Sequence, residues 1–491
     1  MKVNKSLHVR FPPESRILSA EGYYATAQWN YLADKPGMEK QIMPEDVFRK
    51  KIMYIRDPVH GNLRLSRLQE DLIKTVEVQR LSLVHQLGTT YQSYPGAHCM
   101  RLSHALGVSY LADKIGAQIL EQIDSIPAAE KLRMRELLQA AGLLHDIGHT
   151  PWSHTLEPLY IEIHGVDHMD LVADLVKGNQ ALSIRGSGRI PDILKVHDID
   201  PEDVADLICS RYKGPRYLQQ MIFGEVDADM LDYLQRDFYF TGVAFGHIEM
   251  ERIISTMTVV DNEIVFLIKG HEAIRDFLFA RMQMYSSVYL HKKTRIVDMM
   301  LLAAARRSII ELGEIQDFHV LTDDEILSFL ACDSADPWVR EMAWRVKYRQ
   351  KLFSQVFRID AATLDESDIS FLNTIGTSEE TPSLIARTLV SRIAESAGVD
   401  PRYILVDLPL DAVRISEERF ENLGIKYVNQ YEEIKNIEDI DPAFSEYLSK
   451  AKPNRNYLTV NCCPDIKDQV QITCRDLFHR AAMPLFRDDH D

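Results

Sequence analysis

Apolar residues recur at helical spacing along most of the chain. Leu106, Tyr110, Leu111, Ile115, Ile119 and Ile123 fall on one face of a 3.6-residue repeat and predict a helix. Leu137 to Leu144 is apolar nearly all round, the pattern of a helix buried in a core. Residues 271–312 read as one or two long helices, and Met299 to Ala305, ending at Arg306-Arg307, reads as a buried turn. Strand-like alternation is confined to short stretches. Ile52 to Leu65 alternates around Asp57-Pro58-Val59-His60-Gly61-Asn62, which predicts a hairpin or turn. Thr256 to Val260 and Glu263 to Ile268 flank Asp261-Asn262 and predict a second hairpin. Beyond residue 313, acidic clusters such as Asp323-Asp324-Glu325 and Glu379-Glu380 separate shorter helices, and Tyr403 to Leu408 and Tyr457 to Cys462 look like strands. The expectation is a mainly α protein: an N-terminal extension over 1–50, a helical core with short β-hairpins over 51–312, and a smaller mixed α+β lobe over 313–491.

Composition narrows the functional classes. The 491 residues are 46% hydrophobic and 26% charged, ordinary values for a globular chain that buries its own core. The net charge of −17 argues against broad binding to nucleic acid or to anionic membrane. Two basic runs, His291-Lys292-Lys293-Thr294-Arg295 and Arg345 to Lys351, read first as solvated helix faces. The six cysteines form no C-x-x-C pair, which fits a reducing cytoplasm better than a zinc ribbon or a disulfide framework. No run approaches the roughly 18 apolar residues of a membrane span. No apolar stretch follows Met1 to Lys5, so a signal peptide is not expected.

The candidate chemistry lies in Leu143-Leu144-His145-Asp146-Ile147-Gly148-His149-Thr150-Pro151-Trp152-Ser153-His154. A His-Asp pair ends a helix too apolar to be a surface, and buried charge is costly unless it is paired or metal-bound. His145 and His149, four apart, are expected on one helix face, with Pro151 breaking the helix so that His154 approaches from a loop. Imidazole and carboxylate ligands suit iron, zinc, manganese and related ions. Taken alone, the pair reads equally well as a buried hydrogen bond. Arg101 and His104 open an amphipathic helix on a shared face. Asp229, Tyr233 and Asp237 form an i, i+4, i+8 row, while Asp232 and Arg236 read as a simple i, i+4 ion pair. Arg281, Tyr285 and Tyr289 are spaced to share another helix face, an arrangement a solvated arginine above two core tyrosines would also give.

The order of these motifs, His104, then His145-Asp146, then Asp229, resembles the HD-domain phosphohydrolase superfamily. Asp57-Pro58-Val59-His60-Gly61, Gln86-Leu87-Gly88, Tyr94-Pro95-Gly96-Ala97, Arg101 to Val108 and Asp232 to Val243 are similar to the branch of deoxynucleoside triphosphate triphosphohydrolases. The resemblance is strong from 51 to 310 and continues in layout only through the C-terminal lobe. It implies that His104, His145, Asp146 and Asp229 bind one divalent transition metal (Fe, Zn, Mn or Ni). It implies that His149, His154 and His168 are catalytic; the leaving 5′-oxygen needs a proton, and His154 is expected to give it because a histidine suits that task. Arg101 and Arg281 would contact phosphates, and Gln86, Leu87, Tyr233, Asp237 and Tyr289 would surround the deoxyribose. Mg2+ or Mn2+ would accompany the triphosphate.

The implied reaction releases a deoxynucleoside and inorganic triphosphate by attack at the α-phosphorus. The resemblance also implies a homo-oligomer, commonly a tetramer, and deoxynucleotides as effectors as well as substrates. The chain departs from the vertebrate branch at Met230, where that branch has lysine. It departs again at Lys74 and Ser82 around Val78-Gln79-Arg80-Leu81, where that branch has an aspartate and an arginine that read guanine. The competing readings are a nucleotidase or cyclic-nucleotide phosphodiesterase on the same fold, and a non-catalytic nucleotide sensor or nucleic-acid-binding module.

Overall fold

A computed structural model describes residues 53–245, 248–360, 382–407, 423–450 and 457–478. The expected extension over 1–50 and the acidic pair Glu379-Glu380 lie outside them. The protein is mainly α, with small sheets at its margins.

The hairpin around Asp57 forms as expected. Strand β1 (Tyr54–Asp57) pairs antiparallel with β2 (Gly61–Arg64). Asp57 closes the turn by accepting the Val59 and His60 amides, both at 2.9 Å. The helical repeat becomes α1 (Arg101–Leu120), and the all-apolar stretch becomes the end of α2 (Ala128–Leu144), where every residue from Leu137 to Leu144 is buried. These two helices pack closely because glycine removes a side chain at the crossing. A Cβ on Gly142 would stand 2.9 Å from the Ser109 backbone.

Helix α3 (His168–Lys177) is capped by Asp167, which accepts the Met169 and Asp170 amides. Helix α4 (Ala228–Thr241) begins at Asp227, which accepts from Met230, and ends at Gly242 with φ of 71°. The second expected hairpin is β3 (Met257–Val260) with β4 (Glu263–Leu267). Asp261 and Asn262 both have positive φ, the geometry a tight two-residue turn requires.

The expected long helices over 271–312 are interrupted. Helix α5 (His271–Met284) passes into a π-helical turn at Tyr285–Tyr289, and α6 (Lys292–Arg306) into another at Arg307–Glu311. The wider turn takes Tyr285 and Tyr289 off the simple i, i+4 register that the spacing predicts.

Past residue 313, the chain first returns to the main core. Phe318, Ile326, Leu330 and helix α7 (Pro337–Tyr348) pack there with α1, α2 and α4. Strand β7 (Lys426–Val428) then joins β4 in parallel, and β8 (Ile434–Asn436) completes a four-stranded sheet. A three-stranded antiparallel sheet, in the order β5 (Ser354–Asp360), β9 (Tyr457–Cys462), β6 (Ile404–Asp407), builds a separate small core. Its apolar face closes against helices α8 (Pro382–Ala397) and α9 (Lys467–Leu477) through Leu389, Ile393, Val470 and Cys474. Among the described residues no helix is long and apolar enough to cross a membrane.

Candidate active site

Three elements converge on one buried point. His104 comes from the first turn of α1, His145 from the end of α2, and Asp229 from the first turn of α4. Their ligand atoms lie within 4.8 Å of one another. His104 Nε2 is 3.0 Å from Asp229 Oδ1, and His145 Nε2 is 3.8 Å from the same oxygen. Asp146 borders the group, with Oδ1 3.2 Å from His145 Nε2 and Oδ2 3.7 Å from His104 Nε2.

The far nitrogens of both rings are already engaged. His104 Nδ1 donates to Asp232 at 2.8 Å, and His145 Nδ1 donates to the Gly142 carbonyl at 2.9 Å. Each ring is thereby held in the tautomer that turns the Nε2 lone pair inward, as metal-binding histidines require. Burial alone would lower the His104 pKa. The hydrogen bonds to Asp229 and Asp232 and the Asp146 charge outweigh it and push it up to about 10. That proton sits among carboxylates where a divalent cation competes for the same lone pair. The donor set fits a transition metal.

The Asp146 carboxylate is buried, which alone would raise its pKa. The charges of Arg101, His145 and His149 hold it well below the usual range instead. Arg101, expected at a phosphate, is itself buried. Its Nη1 donates to Asp146 Oδ2 at 2.6 Å and its Nε to Ser153 Oγ at 2.6 Å.

The histidine turn differs from the expected geometry. Helix α2 ends at Leu144, so His145 and His149 do not share a helix face. His149 instead reaches back across the following turn to Asp146, Nε2 to Oδ1 at 3.2 Å. Pro151 lies beyond the helix end and does not interrupt it. Trp152 and Ser153 both have positive φ, near 59° and 55°, and they swing His154 outward to an exposed position. His149 stacks on His168 at 4.0 Å and meets His154 edge-on at 4.9 Å, so the expected catalytic trio is gathered in space. Burial, with the Arg101 and His168 charges, holds His149 neutral, its pKa well below the ordinary value.

Glu157, which the sequence pattern did not single out, binds His154 Nδ1 at 2.7 Å and also His168 Nδ1. Burial works against its charge, but these two hydrogen bonds keep it ionised. Asp232 was also missed as a site residue. It does pair with Arg236 as the i, i+4 spacing predicts, and it holds His104 and His60 as well.

A second cluster lies two turns along α4. Tyr289 Oη donates to Asp237 Oδ2 at 2.7 Å, and Tyr233 meets Tyr289 edge-on at 6.3 Å. Burial raises the Asp237 pKa to about 7 against the lowering effect of Tyr289. Arg281 is fully buried on α5, with Tyr233, Tyr285 and the Asp227 carboxyl around it. Gln86 and Leu87 stand on a separate loop, where the Gln86 backbone N–H donates to the Cys99 carbonyl at 2.8 Å. Asp237 is among the carboxylates whose charge acts on the Cys99 thiol. Gln86 Oε1 and Asp237 Oδ1 are among the buried side-chain atoms that have no hydrogen-bond partner among the described residues.

Comparison with known proteins identifies the relatives of this chain. The HD domain family matches residues 101–237, and the HD associated region matches 248–482. The uncharacterized protein YwfO of Bacillus subtilis is 32% identical over 411 residues, covering 78% of this chain and 86% of that protein. The human deoxynucleoside triphosphate triphosphohydrolase SAMHD1 is 28% identical over 348 residues, covering 62% of this chain but only 54% of SAMHD1. Among solved structures, a phosphohydrolase from Bacteroides thetaiotaomicron superposes with a TM-score of 0.64 at 25% identity, covering 84% of this chain and 99% of that one. With its ordered histidines and aspartate, His104, His145 and Asp229, gathered at one point, the chain belongs to the HD-domain phosphohydrolase superfamily.

Proposed function

We propose that the protein hydrolyses deoxynucleoside triphosphates to a deoxynucleoside and inorganic triphosphate. The observation that carries this reading is that Gln86 Oε1 and Asp237 Oδ1, on the two residues expected at the sugar, are among the buried polar atoms without partners. A buried acceptor left unsatisfied is costly, and a sugar hydroxyl is the donor that both suit. Similarity to SAMHD1, whose name states this activity, supports the same substrate class.

His104, His145 and Asp229, with Asp146 beside them, would hold one divalent ion, Fe, Zn, Mn or Ni. Such an ion supplies a nucleophile at neutral pH and polarises a phosphoryl oxygen. The remaining work falls to side chains. His154, exposed at the rim and fixed through Nδ1 by Glu157, turns Nε2 toward incoming substrate and protonates the leaving 5′-oxygen. His149 and His168 orient the phosphates, and Arg101 and Arg281 add positive charge there, with Mg2+ or Mn2+ accompanying the triphosphate. Gln86 and Asp237 take the 3′-hydroxyl. Leu87, Tyr233 and Tyr289 close round the sugar, so a 2′-hydroxyl meets a ring or lies buried without a partner.

By the same resemblance we propose a homo-oligomer, a tetramer, with deoxynucleotides also acting as effectors. The six free thiols support a cytoplasmic location.

The test is a product assay with each deoxynucleoside triphosphate, singly and mixed, in manganese or magnesium. Intact triphosphate plus deoxynucleoside is the expected result. Orthophosphate or a monophosphate would replace this reading with that of a nucleotidase or phosphodiesterase.

A further inference from the structure

Residues 319–323 lie far along the chain from the histidine turn, yet two buried charged groups bind them to it. Among the described residues the Arg80 guanidinium donates only to carbonyls: Nη1 to His149 at 2.8 Å, Nη2 to His319 at 2.6 Å and Leu321 at 2.7 Å, and Nε to Val320 at 2.9 Å. Two residues further on, the Asp323 carboxylate is 1% exposed and accepts three hydrogen bonds. Its Oδ1 takes the Trp152 amide at 2.6 Å. Its Oδ2 takes both the His85 amide at 2.8 Å and His85 Nδ1 at 2.7 Å.

The circuit closes on itself. The His85 carbonyl accepts from Ser153 Oγ at 2.6 Å, and the His85 ring lies parallel to Trp152, centroids 5.5 Å apart. One carboxylate therefore joins two loops. His85 immediately precedes Gln86 and Leu87. Trp152 and Ser153 are the left-handed pair between His149 and His154, a backbone state that persists only when its surroundings hold it.

We propose that Asp323, acting through His85 and Trp152, is a positioning residue that sets the spacing between the Gln86-Leu87 loop and the catalytic histidine turn. It touches none of His104, His145, Asp146 and Asp229, so metal content should survive its replacement. The proposal rests on the dNTP-hydrolase reading only for its substrate readout.

The isosteric variant Asp323→Asn replaces one acceptor oxygen with a donor. Either Trp152 or His85 then faces an N–H group, with little change of volume. His85→Ala removes the ring bond together with the ring's stacking on Trp152, and His85→Asn restores a donor near the Nδ1 position. Asp323→Asn and His85→Ala should lower kcat/KM for deoxynucleotides by on the order of ten- to a hundredfold, the scale of a small misplacement. They should also narrow the preference for deoxyribose over ribose while leaving metal content unchanged. His85→Asn should recover most of the loss.

Wild-type kinetics and sugar preference in Asp323→Asn and His85→Ala would overturn the proposal, as would a loss in His85→Asn equal to that in His85→Ala. If the wild type hydrolyses no deoxynucleoside triphosphate, the substrate reading fails separately. Amide hydrogen exchange over residues 84–92 and 149–156, with turnover of bis(p-nitrophenyl) phosphate in manganese, then decides. Faster exchange in both segments of Asp323→Asn, with slower turnover, supports the role. Unchanged exchange overturns it.

Discussion

Asp232 accepts a hydrogen bond from His104 Nδ1 at 2.8 Å and is in turn gripped by Arg236 through Nε at 2.8 Å and Nη2 at 2.9 Å. His60 Nε2 meets the other oxygen at 2.6 Å. The orientation of a metal-facing imidazole is thus set by a network that reaches back to the first hairpin, where Arg236 also holds Asp57 at 2.8 Å. Asp232→Asn should lower affinity for a divalent metal by about 10–100-fold. Leaving Arg236 with one anionic partner should also cost several kcal/mol of stability, up to about 3–5. Metal content measured across a chelator series checks this; an unchanged affinity would mean that Asp232 does not set the His104 tautomer.

On the proposed reading, His154→Ala should separate catalysis from metal binding. Its ring is held by Glu157 and lies at the rim of the site. Turnover should fall by on the order of 10²–10⁴-fold with metal content intact, the range for loss of a general acid. A parallel loss of metal would make His154 a ligand instead.

Tyr289→Phe removes the hydroxyl donated to Asp237. That hydrogen bond lowers the Asp237 pKa, which burial has already raised to about 7, so the variant should shift it further up. A carboxyl whose folded-state value exceeds the unfolded one stabilises the fold at low pH, and the contribution is lost as pH rises through the folded value. For Asp237 the window runs from about 4, the unfolded value, to about 7. Asp237→Asn should flatten stability over that window. Thermal melts at intervals of pH would show whether the slope there changes.

His319 has the opposite sign. Burial, with the nearby His164 charge, lowers its pKa to about 4. The unfolded chain therefore takes up the proton first, and stability from the neutral ring is lost as pH falls from about 6.5 towards that value. His319→Gln should make the acid limb of a Tm profile shallower. An unaltered limb would assign the acid sensitivity to other groups.

Gly107→Ala should be severe. An added Cβ would stand 1.8 Å from Asp232 Oδ1, and that carboxylate, fixed by His60, His104 and Arg236, has nowhere to retreat. Overpacking of this kind costs about 1–3 kcal/mol. Metal loss should accompany it, because Asp232 supports His104. A soluble variant with wild-type Tm would show that the helices separate more easily than their packing implies.

Much of this architecture could be read from the chain. Both hairpins announced themselves by turn residues between alternating strands, and α1 and α2 by their apolar repeats. The order of His104, His145-Asp146 and Asp229 carried the family. Partners distant in sequence could not be read. Asp232 looked like half of a local ion pair because Arg236 is four residues away, whereas His60 and His104 are separated from it by 172 and 128 residues. Asp323 looked like one member of an acidic cluster separating short helices and proves to be a buried partner of two distant loops. The shared helix face expected for His145 and His149 failed because α2 stops at Leu144. Periodicity marks where a helix is favourable but says little about its last turn. The π-helical turn at Tyr285–Tyr289 has no such signal in residue spacing at all.

Helix α4 carries Asp229 at one end and Asp237 two turns later. Eight residues of α-helix span about 12 Å and do not stretch. On the reading proposed above, that helix works as a ruler laid between the hydrolytic centre and the sugar. Because the graduations are fixed, the bond to be cut is chosen by its distance from the ribose and not by counting phosphates from the free end. A nucleotide lengthened or shortened at its terminal phosphates would still present the same phosphorus to the same mark.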